Sequence, residues 1–275
     1  MIPKARKQFG QHWLRSETVL QRIVAAAALS EHDRILEIGP GTGLLTRQLL
    51  PLVQTVVAVE IDRDLCKFLR QQFSTNDRFV LIEGDILSLD LAKRLSEITA
   101  NPRLNKVVAN IPYNITGPIL EKLLGTIASP TPDPFDAIVL LVQKEVAERL
   151  CAAPGSKVYG ALSVRVQYLA TCEWICVVPA KAFHPAPKVD SAVVRLQPRP
   201  FHPAVLDPAQ LATLVKLGFA TRRKMLRNNL SSLVERDRLT DFLEQHSLNP
   251  QARAEELGVA NWVALSDWLT KTQQP

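Results

Sequence analysis

Five short runs of apolar residues follow one another in the first half of the chain, and helically spaced apolar positions lie between them. The runs cover residues 34–38, 55–61, 79–86, 106–111 and 137–142. Strands that are apolar on both faces and alternate with helices are typical of a parallel sheet covered on both sides. The pattern therefore predicts an α/β fold built on a Rossmann-like, mostly parallel sheet.

Two later apolar runs, 174–179 and 191–198, have no helix of comparable length between them, so we expect an antiparallel pair at the sheet edge. A proline-rich segment, 197–203, follows, and beyond it the apolar spacing is helical to the end of the sequence. The sequence therefore predicts a sheet domain over residues 1–199 and a small all-helical domain over residues 204–275.

Composition and charge narrow the possible functions. The chain has 275 residues, a formal net charge of +6 and a pI of about 9.2, which favours an anionic partner. Its four cysteines form no CxxC pair, so we expect no metal site and a reducing, cytoplasmic location. The apolar runs are too short to span a membrane, and no apolar stretch follows the basic N-terminal residues. We therefore expect a cytoplasmic protein without membrane contact.

Three glycines, Gly39, Gly41 and Gly43, separate the first predicted strand from its helix. Glycine permits a tight turn and lets a ligand approach the backbone, although a plain strand–helix connection would also use it. Glu60 ends the second strand, where a carboxylate can accept both hydroxyls of a ribose, and Asp85 ends the third. Because the carboxyl ends of parallel strands share one edge, we expect a crevice there that binds a nucleoside cofactor.

The stretch NIPY, from Asn110 to Tyr113, ends the fourth strand at the same edge. An aromatic amine is a poor nucleophile because its lone pair is delocalised into the ring. Two acceptors on its N–H bonds, the Asn110 side-chain oxygen and the Ile111 carbonyl, which Pro112 keeps rigid, would favour a pyramidal nitrogen. Tyr113 offers a ring for base stacking, worth about 1–3 kcal/mol. A strand-end turn without chemistry is the alternative, but beside the glycine turn we expect catalytic residues.

The pattern E-x-G-x-G-x-G, which begins at Glu37, resembles the first motif of the class I S-adenosylmethionine-dependent methyltransferases, and NIPY resembles their amine-methylating motif. A nicotinamide-dependent dehydrogenase is disfavoured by the glycine spacing. The resemblance implies S-adenosyl-L-methionine as cofactor, with Gly39 beside its amino-acid part, Glu60 on its ribose and Asp85 on its adenine amine. The full set of contacts that it implies is His12, Leu14, Gly39, Gly41, Glu60, Ile61, Asp85, Ile86 and Asn110.

Longer motifs make the resemblance more specific. Over about residues 4–196, five motifs follow one another in the order of the bacterial small-subunit ribosomal RNA adenine dimethyltransferases. They are KQFGQHWL, EIGPGTGLLT, NIPYNI, LLVQKEVAERL and AFHPAPKVDSAVVRL. That family methylates two adjacent adenosines in a hairpin loop near the 3′ end of the RNA and acts as a checkpoint in subunit maturation. The resemblance implies ribosomal RNA within the immature 30S subunit as partner, and a monomeric enzyme.

The chain departs from the family where it reads GQHWL in place of GQNFL. The family asparagine contacts the cofactor, and His12 could donate a hydrogen bond there through a ring nitrogen, although its bulk and titration differ. The loop that Phe183 opens faces the target base in the family. This implies that Phe183 packs on the adenine opposite Tyr113 as part of the catalytic site, while a core phenylalanine is the alternative.

Two basic clusters complete the set of candidate residues. The resemblance to an RNA enzyme and the net positive charge favour phosphate contacts over a merely solvated face. The predicted RNA-binding residues are Arg222, Arg223, Lys224 and Arg227 in the tail, and Lys4, Arg6 and Lys7 at the head.

Two other functions remain compatible with the sequence. One is the related large-subunit ribosomal RNA dimethyltransferase that confers macrolide resistance, although APKVDSAVVRL is close to the small-subunit form PPKVDSAVVRL. The other is a non-catalytic RNA-binding assembly factor, against which the intact NIPY stretch argues. A methyl-transfer assay separates these possibilities.

Overall fold

The computed structural model describes residues 3–99 and 101–273 of the chain. These residues form strands at all five predicted places, each ending within three residues of the expected position. The strands are β1 (Trp13–Leu14), β2 (Arg34–Ile38), β3 (Thr55–Glu60), β4 (Phe79–Glu83), β5 (Lys106–Asn110), β6 (Ala137–Gln143), β7 (Ala170–Val178), β8 (Phe183–His184) and β9 (Ser191–Pro198).

Helices connect the strands and then form the C-terminal part of the chain. Aspartates cap several of them: Asp62 accepts a hydrogen bond from the Asp64 amide at 3.0 Å, and Asp207 caps a helix that begins with proline. The helices are α1 (Glu17–Ala26), α2 (Leu44–Leu49), α3 (Arg63–Gln72), α4 (Leu91–Ile98), α5 (Thr116–Leu124), α6 (Lys144–Leu150), α7 (Ala161–Leu169), α8 (Pro208–Gly218), α9 (Leu226–Asn229), α10 (Arg236–Gln245) and α11 (Val259–Gln273), with short 3-10 turns such as Tyr113–Ile115 and Ala180–Ala182.

A seven-stranded sheet has the order β4-β3-β2-β5-β6-β9-β7. The first five strands in that order are mutually parallel, and β9 runs antiparallel to β6. The predicted Rossmann-like, mostly parallel sheet is thus confirmed. The two later apolar runs lie side by side at the edge, as β7 and β9.

The strand order reverses at β2, which has β3 on one side and β5 on the other. The chain first proceeds outward through β3 and β4 and then returns to β5 on the opposite side. Connections that diverge in this way leave a crevice beyond the carboxyl ends of the strands, where ligands of such sheets bind. Ile38 and Asn110, the last residues of β2 and β5, border that point.

The core on one face of the sheet is built from paired residues of neighbouring strands, whose side chains project to the same side. Each such side chain that is fully buried stabilises the fold by about 1.5–3 kcal/mol. The members that follow this register are Val56, Ile35, Val108, Val139, Leu141 and Val193, with exposed fractions of 0%.

The chain divides into two compact units. One holds the described residues up to Leu123 together with Asp133–Ala147 and Glu173–Pro198. The other holds Leu124–Pro132, Glu148–Cys172 and the described residues from Arg199 onward. The second unit therefore contains the helical tail and also α7, against which α8 and α11 pack. The linear pattern carries no sign of this, because α7 lies between two strands in sequence.

Candidate active site

A crevice of about 710 Å³, its open mouth included, lies at the carboxyl ends of the parallel strands. The N-terminal segment forms one wall, and the strand ends and the turns that follow them form the other. Its lining residues are Phe9, Gly10, Gln11, His12, Trp13, Ile38, Gly39, Gly41, Val59, Glu60, Ile61, Leu65, Gly84, Asp85, Ile86, Asn110, Ile111, Pro112, Tyr113 and Ile115.

The glycine turn between β2 and α2 has a backbone that other residues would strain. Gly39, Gly41 and Gly43 have φ angles of +67°, +58° and +74°, in the left-handed region. A Cβ atom on Gly41 would lie 2.9 Å from Cδ1 of Trp13. The Trp13 ring thus takes the space that a side chain on Gly41 would fill, and Gly39, where a Cβ would come no closer than 3.9 Å to Pro112, leaves bare backbone that a ligand can approach.

Glu60 ends β3 with an exposed fraction of only 4%. Its Oε1 accepts hydrogen bonds from the amides of Ile61 and Asp62, both at 3.0 Å, and its Oε2 accepts one from the Gly41 amide at 3.2 Å. Burial raises the pKa of this carboxyl group, and the backbone donors oppose that shift. The three contacts fix the carboxylate at the lip of the crevice and leave about one of its four lone-pair sites for a ligand's hydroxyl group.

Glu37, inside β2, is more deeply buried and has an exposed fraction of 1%. It accepts a hydrogen bond from Oγ1 of Thr46 at 2.7 Å. Burial raises the pKa of Glu37 to about 8, partly offset by the Thr46 hydroxyl and reinforced by the charge of Glu60. Glu37 also borders a small space behind the glycine turn, shared with Trp13 and Gly41.

The end of β4 supplies an acid and an apolar wall. Oδ1 of Asp85 accepts a hydrogen bond from the Leu87 amide at 2.9 Å, which orients the carboxylate. Ile61 and Ile86 also line the crevice, and Ile61 is 44% exposed. An exposed isoleucine beside an oriented carboxylate suits a flat ring with an amino group at its edge.

Asn110 is oriented by the N-terminal segment. Its side-chain nitrogen donates a hydrogen bond to the carbonyl oxygen of His12 at 3.0 Å. This leaves Oδ1 of Asn110 as an acceptor without a donor among the residues that the structure describes. Ile111 and Pro112 follow in the crevice wall, with Pro112 extended at φ −61° and ψ 131°.

Tyr113 is anchored from behind. Its hydroxyl group lies 2.6 Å from Oγ of Ser191, which is fully buried, and burial raises the pKa of the Tyr113 hydroxyl. The ring of His12 is stacked at a centroid distance of 5.9 Å and an interplanar angle of 19°. The tyrosine ring is therefore held in one orientation at the junction of the crevice with a neighbouring cleft that Asn114 and Gln143 also line.

Sheet register explains why these groups meet. Asn110 pairs with Leu141 across β5 and β6, and Gln143 pairs with Ser191 across β6 and β9. Since Leu141 and Gln143 lie two residues apart on one strand, Asn110, Gln143 and Ser191 all project to the same face. Sequence reasoning did not find Ser191 or Gln143, because their proximity follows from strand order, which the sequence pattern did not predict.

His12 lies at the crevice, but its Nδ1 is 2.7 Å from the carbonyl oxygen of Pro185. That nitrogen therefore serves to hold the N-terminal segment to the loop after β8. Leu14 and Phe183 pair across β1 and β8 and are both 5% exposed. They belong to the core and are absent from the crevice lining, so the structure places the Phe183 ring among protein atoms rather than in the crevice.

The N-terminal segment is fastened to the start of α3. Nε2 of Gln11 donates to Asp62 at 3.0 Å, and Arg6 forms ion pairs with Asp62, at 3.4 Å, and with Asp64. Arg6, which the sequence suggested for RNA binding, thus has acidic partners within the protein. Asp62 and Gln11 escaped sequence reasoning because the segments that they join lie far apart in the chain.

The other predicted RNA-binding residues lie outside the crevice. Arg223, Lys224 and Lys4 are exposed, Arg227 is half-buried, and Arg222 donates a hydrogen bond to the carbonyl oxygen of Lys157. The side chain of Lys7 lies outside what the structure describes.

Metal-binding and membrane-spanning features are both absent from the described part of the chain. No group of three or more histidine, cysteine, aspartate or glutamate side chains there could hold a metal ion. No helix among the same residues is long and apolar enough to cross a membrane.

Comparison with known proteins gives one consistent family. The family model described as ribosomal RNA adenine dimethylase matches residues 2–271. The ribosomal RNA small subunit methyltransferase A of Nostoc punctiforme is 64% identical over 272 residues, which cover 97% of this chain and 95% of that protein. The protein of the same name from Crocosphaera subtropica is 57% identical over 270 residues, which cover 98% of this chain and 100% of that protein.

Solved structures agree with this assignment. A dimethyladenosine transferase from Plasmodium falciparum has a TM-score of 0.74 at 25% identity, covering 95% of this chain and 98% of that one. The 23S rRNA methyltransferase ErmE has a TM-score of 0.73 at 26% identity, and the match covers 94% of this chain and 99% of that one. The family match over nearly the whole chain, together with the glycine turn, the strand-end acids and the NIPY stretch in one crevice, shows that this chain belongs to the ribosomal RNA adenine dimethylase family.

Proposed function

We propose that the chain transfers methyl groups from S-adenosyl-L-methionine to the exocyclic amines of two adjacent adenosines near the 3′ end of small-subunit ribosomal RNA. The observation that carries the proposal is the orientation of Asn110, whose side-chain nitrogen is held by the His12 carbonyl while its oxygen remains available at the end of β5. The relatives that are 57–64% identical carry a small-subunit methyltransferase name, which supports the choice of RNA.

The residues present fit S-adenosylmethionine. Bare backbone at Gly39 leaves room for its amino-acid part, Glu60 keeps a free lone-pair site for a ribose hydroxyl, and Asp85 with Ile61 suits the adenine ring. When bound, this cofactor supplies a methyl group carried on a positively charged sulfur. Ile86 and Asn110 complete the contacts that we assign to it.

Asn110 and Ile111 prepare the target amine. Oδ1 of Asn110 and the Ile111 carbonyl oxygen accept the two N–H bonds, which favours a pyramidal nitrogen whose lone pair is no longer delocalised into the base. Because the Asn110 nitrogen is already engaged with His12, the amide cannot rotate to present its donor side to the amine. Preorganised acceptors of this kind lower the barrier at the step where charge develops.

Tyr113 holds the base that carries this amine. Its ring is kept in place by the Ser191 hydroxyl and by the stacked His12 ring, so little motion is lost when a base stacks on it. The target adenosine must leave its RNA stack to reach this ring, at a cost of a few kcal/mol, and stacking on Tyr113 offsets part of that cost. Phe183 supports this corner from the core, since Tyr113 packs against the apolar cluster that includes it.

The basic tail supplies a second contact with the RNA. Arg223, Lys224 and Arg227 provide positive charge for phosphates, which is the term that dominates affinity for nucleic acids. We assign to the enzyme the immature 30S subunit as substrate, a monomeric state and a cytoplasmic location.

The experiment is transfer of labelled methyl groups from S-adenosylmethionine to small subunits that lack the modification, with large subunits and already modified small subunits as controls. We expect label on two adjacent adenosines of the unmodified small subunits only. Label on large subunits instead would point to the macrolide-resistance reaction, and absence of label from every substrate would contradict a catalytic role.

A further inference from the structure

The indole nitrogen of Trp13 is a buried donor without a use in the fold. Nε1 of Trp13 is covered from solvent and has no hydrogen-bond partner among the described residues. Buried polar groups in native proteins are nearly always hydrogen-bonded, and an unpaired one lowers stability, so each exception calls for a reason. Other atoms of Trp13 line the crevice, so a small movement of its ring would bring this nitrogen to a ligand bound there.

The position of this donor is specific. A Cβ atom on Gly41 would lie only 3.1 Å from Nε1 of Trp13, so the N–H edge of the indole faces the glycine turn. Gly41 tolerates this approach because it has no side chain. The amino-acid part of S-adenosylmethionine, with its carboxylate and its ammonium group, is the part that runs beside this turn under the function proposed above.

The charge of the crevice leaves the cofactor's carboxylate without a cation. Among the described lining residues there is no lysine and no arginine, while Glu60 and Asp85 are acidic. Neutral N–H groups must therefore hold that carboxylate. A hydrogen bond from a neutral donor to a charged acceptor is stronger than one between neutral groups.

Two other side chains of the N-terminal wall already use a ring or amide nitrogen within the protein. Nε2 of Gln11 donates to Asp62, and Nδ1 of His12 lies 2.7 Å from the Pro185 carbonyl. Within the described part of the chain, Trp13 and the second N–H of the Gln11 amide thus remain as unpaired side-chain donors of this wall, and of the two only the Trp13 N–H is buried without any partner. In the free protein that group has almost no accessible surface, so a carboxylate oxygen can reach it only when the Trp13 ring moves away from Gly41.

We infer that the Trp13 indole N–H donates a hydrogen bond to the carboxylate of the amino-acid part of S-adenosylmethionine. The inference rests on the proposed function, because it needs this cofactor in the crevice. Trp13 is then a binding residue that positions the cofactor, and its N–H group is unpaired in the free protein because its partner arrives with the ligand.

The test compares two ligands and two variants. Trp13→Phe removes the N–H group and retains an aromatic ring. Decarboxylated S-adenosylmethionine keeps the sulfonium, the amine and the nucleoside, and lacks only the carboxylate. By calorimetry we expect Trp13→Phe to lower the affinity for S-adenosylmethionine about ten- to a hundredfold. Its affinity for the decarboxylated ligand should fall by less than about threefold.

Trp262→Phe is the matched control. Trp262, on α11, is fully buried, and its Nε1 also has no partner among the described residues. It does not line the crevice, so its replacement should leave the affinity for both ligands unchanged. Urea unfolding without ligand should show no loss of stability in Trp13→Phe beyond that of Trp262→Phe, since each change removes one unpaired buried donor.

The outcomes distinguish a wrong role for Trp13 from a wrong proposed function. If Trp13→Phe lowers the affinity for both ligands equally, Trp13 contributes by packing alone and the inference is overturned. Unchanged affinity for S-adenosylmethionine would also overturn it. Binding of 5′-methylthioadenosine, which lacks the whole amino-acid part, verifies that the variant's crevice is intact. Failure of the wild-type protein itself to bind S-adenosylmethionine would instead overturn the proposed function.

Discussion

The acidic groups in and directly behind the crevice and the basic groups of the tail differ in how much protein surrounds them. Glu37 and Glu60 are 1% and 4% exposed, and each accepts hydrogen bonds from identified donors. Arg223 and Lys224 are exposed, and their side chains have no hydrogen-bond partner among the described residues. The fold thus specifies the geometry of the crevice, whereas the tail's contribution depends on a partner that brings its own charge.

The largest effect is expected at the crevice, from Asn110→Ala. Loss of its acceptor should slow single-turnover methylation of small subunits about a hundred- to a thousandfold, or about 3–4 kcal/mol, because the proposed mechanism has the oxygen act where the amine becomes tetrahedral. Both substrates must be saturating, and cofactor affinity is measured separately because the change also removes the bond to His12. A rate within about threefold of wild type would exclude the role in activating the amine.

The buried acid Glu37 should make stability depend on pH. Burial raises its pKa to about 8 from a usual value of 4.5, so the folded protein keeps a proton that the unfolded chain loses in this window. The free energy of unfolding should therefore fall as pH rises between these values, by up to about 1.4 kcal/mol for each pH unit.

Glu37→Gln isolates this contribution, because glutamine can still accept the Thr46 hydroxyl and does not titrate. In urea unfolding, the variant's stability should fall less than that of the wild type between about pH 5 and about pH 8. Parallel curves for the two proteins would show that Glu37 does not hold the proton.

RNA binding through the basic tail should depend on salt concentration, whereas cofactor binding in the crevice should not. Replacing Arg223 and Lys224 together by alanine should make the binding of small subunits less dependent on salt. The slope of log affinity against log salt concentration should fall in magnitude by about 2, one for each phosphate that the variant no longer neutralises. The charge control is the double alanine variant of Lys93 and Arg94, two consecutive exposed residues of α4 with the same total charge, of which Arg94 is ion-paired with Glu97. An equal change in both variants would mean that only net charge matters, and affinity for the cofactor should be unchanged in each.

The smallest effect concerns the support of Tyr113. Ser191→Ala removes the partner of its hydroxyl group, and Tyr113→Phe removes the hydroxyl itself. Each should raise the half-saturating concentration of small subunits about fivefold, equivalent to about 1 kcal/mol, and the double variant should lose no more than either alone. Additive losses would show that the two groups act separately.

The sequence predicted the parts of the site that depend on one strand and its turn. Gly39, Glu60, Asp85 and Asn110 each follow an apolar run, and parallel strands bring their ends to one edge. The family match confirms the fold, the enzyme class and the type of reaction that were predicted. The individual roles of these residues stay predictions until the variants are measured.

The rest of the site depends on contacts between distant segments. Nothing in the sequence near His12 shows that its ring nitrogen lies beside Pro185, or that Arg6 faces Asp62 and Asp64. Likewise, the burial of Phe183 follows from the pairing of β1 with β8. Such contacts follow from the register of the folded chain, which neither local spacing nor residue type encodes.

The pairing of β1 with β8 also has a consequence for synthesis of the chain. The strand β1, with Trp13 and Leu14, leaves the ribosome early, and its partners His184 and Phe183 leave it much later. At about 5–20 residues per second, the delay is about 10–30 s. During that time the nascent chain has the glycine turn and the strand-end acids, while β1 lacks its strand partner, so the pairing of β1 with β8 cannot take part in the early folding of the site.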